Sequence, residues 1–372
     1  MPKTTTATDA TLVRNWLNDR YETRSCTLVG RAASAIYVML KALQRPGSGV
    51  VVPAITCPAA VYPVVLAGYR PLFVDVSLDD FNVDAAIVDG AVGGDEVAAV
   101  LAIHSFGNWL DLEPLDRWCR SRDAVLIEDV CQIMGSGHEG RAGHAVVASF
   151  GHSKPIDCGD GGALLLRDDR FAEAVAREAL ALPQRPPHHE ALTAEYRATY
   201  YRSRDRAREL DPNGRSGFAD LSATYRDLHL YDGGVISWTA VRNGLARIHS
   251  IAGGRRKKAA IYRDAFSGLA LRMTRPDSRD MPWRFTFALE DGALQQKLTD
   301  ALRARGTEVS NWYPSLSLDW SEPAGRCPRA AWFESRVLNL WVDESVTEAD
   351  VEETASFVVR FMTDPTHTAR PR

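Results

Sequence analysis

Residues 125–166, VLIEDVCQIMGSGHEGRAGHAVVASFGHSKPIDCGDGGALLL, decide the fold. They contain three short apolar runs, Val125-Leu126-Ile127, Val146 to Phe150 and Ala163 to Leu166, separated by Gly-, Asp- and Ser-rich turns, which is the pattern of buried strands. The first run ends directly in Glu128-Asp129. A carboxylate at the carboxyl end of a parallel strand faces the crevice where α/β sheets bind ligands. The second run ends four residues before Lys154, which precedes a turn built from Gly159, Asp160, Gly161 and Gly162. The chain has only six lysines (Lys3, Lys41, Lys154, Lys257, Lys258, Lys297), so a lysine at the mouth of a sheet among small residues is a candidate for covalent chemistry. Both residues also have ordinary readings, Asp129 as a helix N-cap and Lys154 as a loop lysine on the surface.

Upstream, Val50-Val51-Val52, Leu72-Phe73-Val74 and Val97 to Ile103 read as strands. Ala32 to Leu43, Pro58 to Ala67, Leu112 to Cys119 and Phe171 to Leu180 carry apolar residues at three-to-four spacing and read as helices. This alternation predicts a three-layer α/β fold around a mainly parallel sheet. Residues 183–235 open with LPQRPPHHE, are rich in Arg and Tyr and show little periodicity, so they read as a long excursion over the surface. Within it, Arg197, Arg202, Arg204, Arg206 and Arg208 interleave with Tyr196, Tyr200 and Tyr201. They offer forks for phosphate or carboxylate, or a solvated face paired with Glu195, Asp205 and Glu209. Beyond Trp238 the pattern is a helix, a break at Gly253-Gly254 and a second helix. Strands at Pro282 to Leu289, Glu308 to Tyr313 and Val337 to Val342 follow, then a helix near Glu348 to Met362. The expected division is an N-terminal arm or helix (1–28), a large α/β domain (29–245) and a smaller α+β domain (246–372).

The 372 residues are 45% hydrophobic and 25% charged, with a net charge of −4, which gives no electrostatic footprint for nucleic acid or an anionic membrane. The absence of a signal-like N-terminus and of any run of about 20 apolar residues predicts a cytoplasmic protein. Six cysteines without CxxC spacing are expected to be free thiols, and no structural metal is expected. The pair His188-His189 reads as a solvated loop. His104, after the strand VLAI, either approaches a ligand or makes a structural hydrogen bond, and His152 is a candidate proton shuttle.

Near the start, GRAASAIYVML leads small residues into a helix whose N-terminus can hold a phosphate. Residues 50–84, VVVPAITCPAAVYPVVLAGYRPLFVDVSLDDFNVD, carry a Pro-x-x-Thr turn and a strand ending in Asp75. Residues 101–154 carry His-x-x-Gly, Glu-Asp-x-x-Gln and Ser-Phe-x-x-Ser-Lys in order. Together these segments resemble the DegT/StrS-type sugar aminotransferases, fold-type I enzymes dependent on pyridoxal 5′-phosphate (PLP), from about Val29 to Phe361. The resemblance implies Lys154 as the Schiff-base lysine, Asp129 as partner of the pyridinium nitrogen, Gln132 beside the ring 3′-hydroxyl, and Ser149 with the backbone of Ala33 and Ser34 at the phosphate. It also implies a homodimer with active sites at the interface. The implied reaction passes an amino group from a donor, commonly glutamate or glutamine, to a keto acceptor, usually a keto sugar linked to a nucleotide.

Two positions depart from the family pattern. Cys57 stands where many members stack an aromatic residue on the pyridine ring, so ring packing is expected from elsewhere. The cross-subunit Asn-x-Arg that reaches the phosphate is missing near Gly233-Gly234-Val235, and Arg or Tyr residues of 183–235 are expected to compensate. The competing readings are a PLP-dependent sugar dehydratase or lyase on the same scaffold, whose members typically carry His at the position of Lys154, and a non-catalytic regulatory homologue.

Overall fold

The β-branched and aliphatic runs become strands wherever both faces can be covered. The computed structural model describes residues 8–210, 215–319 and 326–368. Seven strands form the large sheet: β1 (Ser25–Val29), β2 (Gly49–Pro53), β3 (Arg70–Val74), β4 (Val97–Ile103), β5 (Val125–Asp129), β6 (Ala145–Ser149) and β7 (Gly162–Leu166). Their order is β1-β7-β6-β5-β4-β2-β3. Strands β3, β2, β4, β5 and β6 pair in parallel, while β7 runs antiparallel to both β6 and β1. Strands β2, β4, β5, β6 and β7 are buried along their whole length, as expected when helices cover both faces of a sheet. The carboxyl ends of β4, β5 and β6 thus open on one side, which sets the site.

Four further strands, β8 (Leu271–Met273), β9 (Phe285–Leu289), β10 (Val309–Ser310) and β11 (Val337–Leu340), form an antiparallel sheet in the order β10-β11-β9-β8. The helices Ile248–Ala265, Ala293–Ala304 and Glu348–Thr363 contribute buried residues to its core, among them Tyr262, Leu298, Val351 and Val358.

Several sequence expectations need correction. Residues 25–28, expected in the arm, belong with Val29 to an edge strand of the large sheet, and a strand at Leu271–Met273 adds to those expected in the second. The expected strand Glu308–Tyr313 shrinks to two residues because the chain leaves the sheet to carry Trp312 and Tyr313 towards the site. Gly253-Gly254 does not break the helix: Ile248–Ala265 runs through both glycines, and the interruption lies at Arg247. Each glycine costs such a helix about 1 kcal/mol relative to alanine. That is outweighed by burial of Ile251, Ala252, Arg255, Ala259 and Tyr262 on the opposite face.

Residues 183–235 are largely helical, in His189–Leu210, Arg215–Thr224 and Arg226–His229, with residues 211–214 outside the described set. Tyr200, Leu221, Tyr225, Leu228 and His229 are buried. Aromatic packing holds the segment down, with Tyr196 and Tyr225 rings 4.7 Å apart and Tyr200 and Trp312 rings 5.5 Å apart. These contacts join residues distant in sequence, so periodicity along the chain did not reveal them. Among the described residues no helix is long and apolar enough to cross a membrane.

Candidate active site

Asp129 closes β5 and is buried, with Oδ1 accepting the Cys131 N–H at 2.8 Å. That bond fixes its orientation in the turn leaving the strand. Lys154 sits half-buried in the turn after β6, in the same cleft as Asp129. The residue before it, Ser153, has φ of +63°, a left-handed conformation that costs a non-glycine residue about 1–3 kcal/mol. Three contacts hold it there. Asp157 Oδ2 accepts the Ser153 N–H at 2.7 Å, Asp157 Oδ1 accepts the Gly159 N–H at 3.0 Å, and Trp283 Nε1–H donates to the Ser153 carbonyl at 2.7 Å. Burial works against the Asp157 charge, but His152 and the two N–H groups outweigh it and hold this carboxyl below its usual range. His152 is itself exposed, 3.3 Å from Asp157.

At the opposite wall, the helix Ala32–Leu43 begins beside the sheet, and its first N–H groups have no partner within the helix. A Cβ on Gly162 would lie 2.3 Å from the Arg31 carbonyl carbon and 2.5 Å from the Ala32 nitrogen, so glycine is what lets β7 approach the helix start. Ala33 and Ser149 line this corner, with Ser149 Oγ accepting the Gly151 N–H at 3.3 Å. The Ser34 side chain faces elsewhere: its hydroxyl lies 3.0 Å from the His229 carbonyl and 3.1 Å from that of Tyr231, and it accepts the Tyr231 N–H. It therefore pins residues 229–231 to the helix.

Gln132 is held at both ends, its Oε1 accepting the Phe106 N–H at 2.7 Å and its Nε2 donating to Tyr313 Oη at 3.2 Å. Tyr313 is stacked on Trp283, with centroids 5.4 Å apart and planes at 19°. These two rings and Trp312 supply an aromatic wall that the motif reading missed. The one local signal was the aromatic pair in Asn311-Trp312-Tyr313-Pro314 after an apolar position. Cys57 lines the cleft too, and burial pushes its thiol up while Lys154 opposes that shift. His104 takes the structural role: Nε2 meets Glu128 Oε1 at 3.0 Å and Nδ1 accepts the Leu110 N–H at 3.0 Å. All six cysteines are free thiols.

Of the sequence candidates, the cleft thus gathers Lys154, Asp129, Gln132, Ser149, Cys57 and Ala33. Of the arginines in 183–235, Arg197 faces an adjoining chamber. Arg204 pairs with Asp205, Arg202 and Arg206 are exposed, and the side chains of Arg208 and Glu209 lie outside the described residues. A family model described as the DegT/DnrJ/EryC1/StrS aminotransferase family matches residues 15–184, which contain every one of these motif residues. Over that stretch, just under half of its length, the chain is similar to the DegT/DnrJ/EryC1/StrS family. Among relatives, it is 33% identical over 150 residues to a pleiotropic regulatory protein of Geobacillus stearothermophilus, covering 39% of this chain and 40% of that one. It is 27% identical over 187 residues to the UDP-2-acetamido-2-deoxy-3-oxo-D-glucuronate aminotransferase of Pseudomonas aeruginosa, covering 49% and 52%. It is 24% identical over 342 residues to the GDP-perosamine synthase of Caulobacter vibrioides, covering 86% and 81%. The chain thus spans about half the length, or less, of the first two. Its fold matches that of S. venezuelae DesV, solved in complex with a ketimine intermediate, with a TM-score of 0.74 at 22% identity over 96% of this chain and 90% of that one.

The likeness to that family implies PLP, and the residues present fit it. The cleft offers a primary amine, a buried carboxylate at a strand end, a glycine-permitted helix start beside a serine hydroxyl, and an aromatic wall.

Proposed function

We propose that this chain is a PLP-dependent aminotransferase that moves an amino group from an amino acid, glutamate or glutamine, to a keto acceptor of the nucleotide-linked sugar class. One observation carries the reading: Asp129 at the end of β5 and Lys154 in the turn after β6, 25 residues apart, open into one cleft with Gln132 beside an aromatic wall. Ser149 and the backbone N–H groups of Ala33 and Ser34 would hold the cofactor phosphate, and Gln132 would lie by the ring hydroxyl. When bound, the cofactor supplies an electron sink for a carbanion at the donor Cα. Asp129 would hold a positive charge on the ring nitrogen. Lys154 Nζ would hold the cofactor covalently and, when free, would accept and hand back the proton of the donor Cα. Trp283 and Tyr313 exclude water from this transfer.

The names of two relatives, an aminotransferase and a perosamine synthase, support the acceptor class. Lys154 itself supports transamination over dehydration on the same scaffold. We also propose a homodimer with active sites at its interface, to be checked by light scattering with and without PLP. The central test is borohydride reduction of the PLP-loaded protein followed by peptide mapping, together with the donor half-reaction. Label on Lys154 and loss of the visible band with glutamate or glutamine are expected. Label on another lysine defeats the assignment of Lys154. No response to any amino acid makes the chain a non-catalytic homologue.

A further inference from the structure

The cofactor cleft opens sideways into a second chamber, with Arg31, Cys57, His152, His229 and Trp312 common to both. Its outer wall comes from the 183–235 segment. His189, Glu190, Thr193, Ala194 and Arg197 all line it, and their spacing places them along one face of the His189–Leu210 helix. Three arginines, Arg31, Arg185 and Arg197, face two carboxylates, Asp160 and Glu190. Asp160 is already shared, 2.8 Å from Arg31 and 3.4 Å from Arg185. Arg31 also donates to Tyr231 Oη at 2.9 Å.

His189 adds no charge. Its Nδ1 takes the Arg185 Nη2 donor at 3.1 Å and its Nε2–H meets the Leu228 carbonyl at 3.2 Å, so both nitrogens are committed in the neutral ring. Burial and the nearby arginines push it down accordingly. His229 differs. It is 2% exposed, packed 5.3 Å from the Tyr62 ring and 5.8 Å from Tyr196, and no protein group among the described residues bonds either ring nitrogen. A buried donor left without an acceptor is costly, and this one lies where cleft and chamber meet. The chamber therefore has a positive excess at its rim and an unmatched donor at its inner end.

We propose that this chamber is a subsite for an anionic substituent of the acceptor, a phosphate ester or a carboxylate, bound by Arg185 and Arg197 and by one ring N–H of His229. Its place on the acceptor rests on the aminotransferase reading; anion binding itself does not. A guanidinium fork fits either anion in two parallel hydrogen bonds. The wall and the cofactor cleft belong to one chain, so the subsite also gives the 183–235 segment a role in selectivity.

The test is calorimetric titration of the PLP-loaded protein with inorganic pyrophosphate and with glutarate, using glucose as the uncharged control. At least one anion is expected to bind, weakening as salt is raised, and glucose is not. Tighter binding of pyrophosphate identifies a phosphate-ester site, and tighter binding of glutarate a carboxylate site. Arg185→Gln and Arg197→Gln are each expected to weaken the preferred anion tenfold or more while leaving the visible absorbance of the bound cofactor unchanged. His229→Phe, which keeps the ring packing, is expected to weaken it at least threefold. Because Arg185 also contacts Asp160 and His189, the exposed Arg197 provides the variant least able to disturb folding. No anion binding, glucose binding equal to that of the anions, or undiminished binding in Arg197→Gln would overturn the proposal. A wild type that binds anions yet shows no cofactor absorbance would defeat the aminotransferase reading and leave the subsite standing.

Discussion

Replacing Asp129 by Asn separates the charge of this residue from its structural bond. Oδ1 accepts the Cys131 N–H at 2.8 Å inside the fold, and an asparagine oxygen can take the same donor, so stability should change by no more than about 1 kcal/mol. The negative charge is what disappears. Two opposite unit charges about 4 Å apart attract by about 4 kcal/mol at an effective dielectric constant near 20. At about 1.4 kcal/mol per factor of ten, loss of that attraction predicts a rate roughly a thousandfold lower for deprotonation of the donor Cα. The assay is the single-turnover half-reaction with glutamate, following loss of the visible band, beside thermal melts of both proteins. Asp129→Ala serves as contrast, since it also strips the acceptor from a buried N–H and should lower stability by about 1–3 kcal/mol. If Asp129→Asn reacted within tenfold of wild type, the pyridinium role of Asp129 would be wrong.

Tyr313→Phe removes the acceptor of the buried Gln132 Nε2–H and should lower PLP affinity several-fold, at a cost to folding of about 1–3 kcal/mol; equilibrium dialysis showing unchanged affinity would remove Gln132 from the cofactor's surroundings. Gly162→Ala drives a Cβ to within 2.3 Å of backbone, so a loss of about 1–3 kcal/mol and a melting temperature lower by several degrees are expected, with weaker PLP binding; a melt matching wild type would show that this approach can relax. Glu139, buried, receives both contacts of Arg20 at 3.1 Å and the N–H groups of Gly135 and Gly137. Burial alone would raise its carboxyl, but Arg20 and these donors hold it below the usual range. Its stabilisation is therefore present above the unfolded carboxyl's pKa, near ~4.3, and fades as pH falls through the lower folded value. Glu139→Gln should be about 2–3 kcal/mol less stable at pH 7, with a gap that closes on strong acidification; denaturant titrations showing a gap constant with pH would refute the charge argument.

Much of this protein was legible in one dimension because its large sheet is mainly parallel and buried on both faces. Such strands read as unbroken aliphatic runs, and a run ending in Glu128-Asp129 states where its carboxylate must face. Lys154 and Asp129 could be paired from sequence for the same reason: each follows a strand, and neighbouring parallel strands bring their carboxyl ends to one edge. The family motifs added Gln132, Ser149 and Ala33 to that edge, and the cleft gathers them.

What local pattern could not decide is anything made by contact between distant segments. Trp283 and Tyr313 reach the cleft from segments flanking strands of the second sheet, 30 residues apart and stacked on one another. Gly253-Gly254 continues a helix because packing on one face outweighs propensity on the other. The segment 183–235 looked irregular because its helices are held by Tyr, Trp and His rings meeting across the chain, and ring contacts of that kind leave no period in the sequence. The residue types and their strand-end positions determined the chemistry within reach of this chain. Only tertiary packing decided what walls that chemistry in, since burial and orphaned donors such as His229 exist only once remote segments close around them.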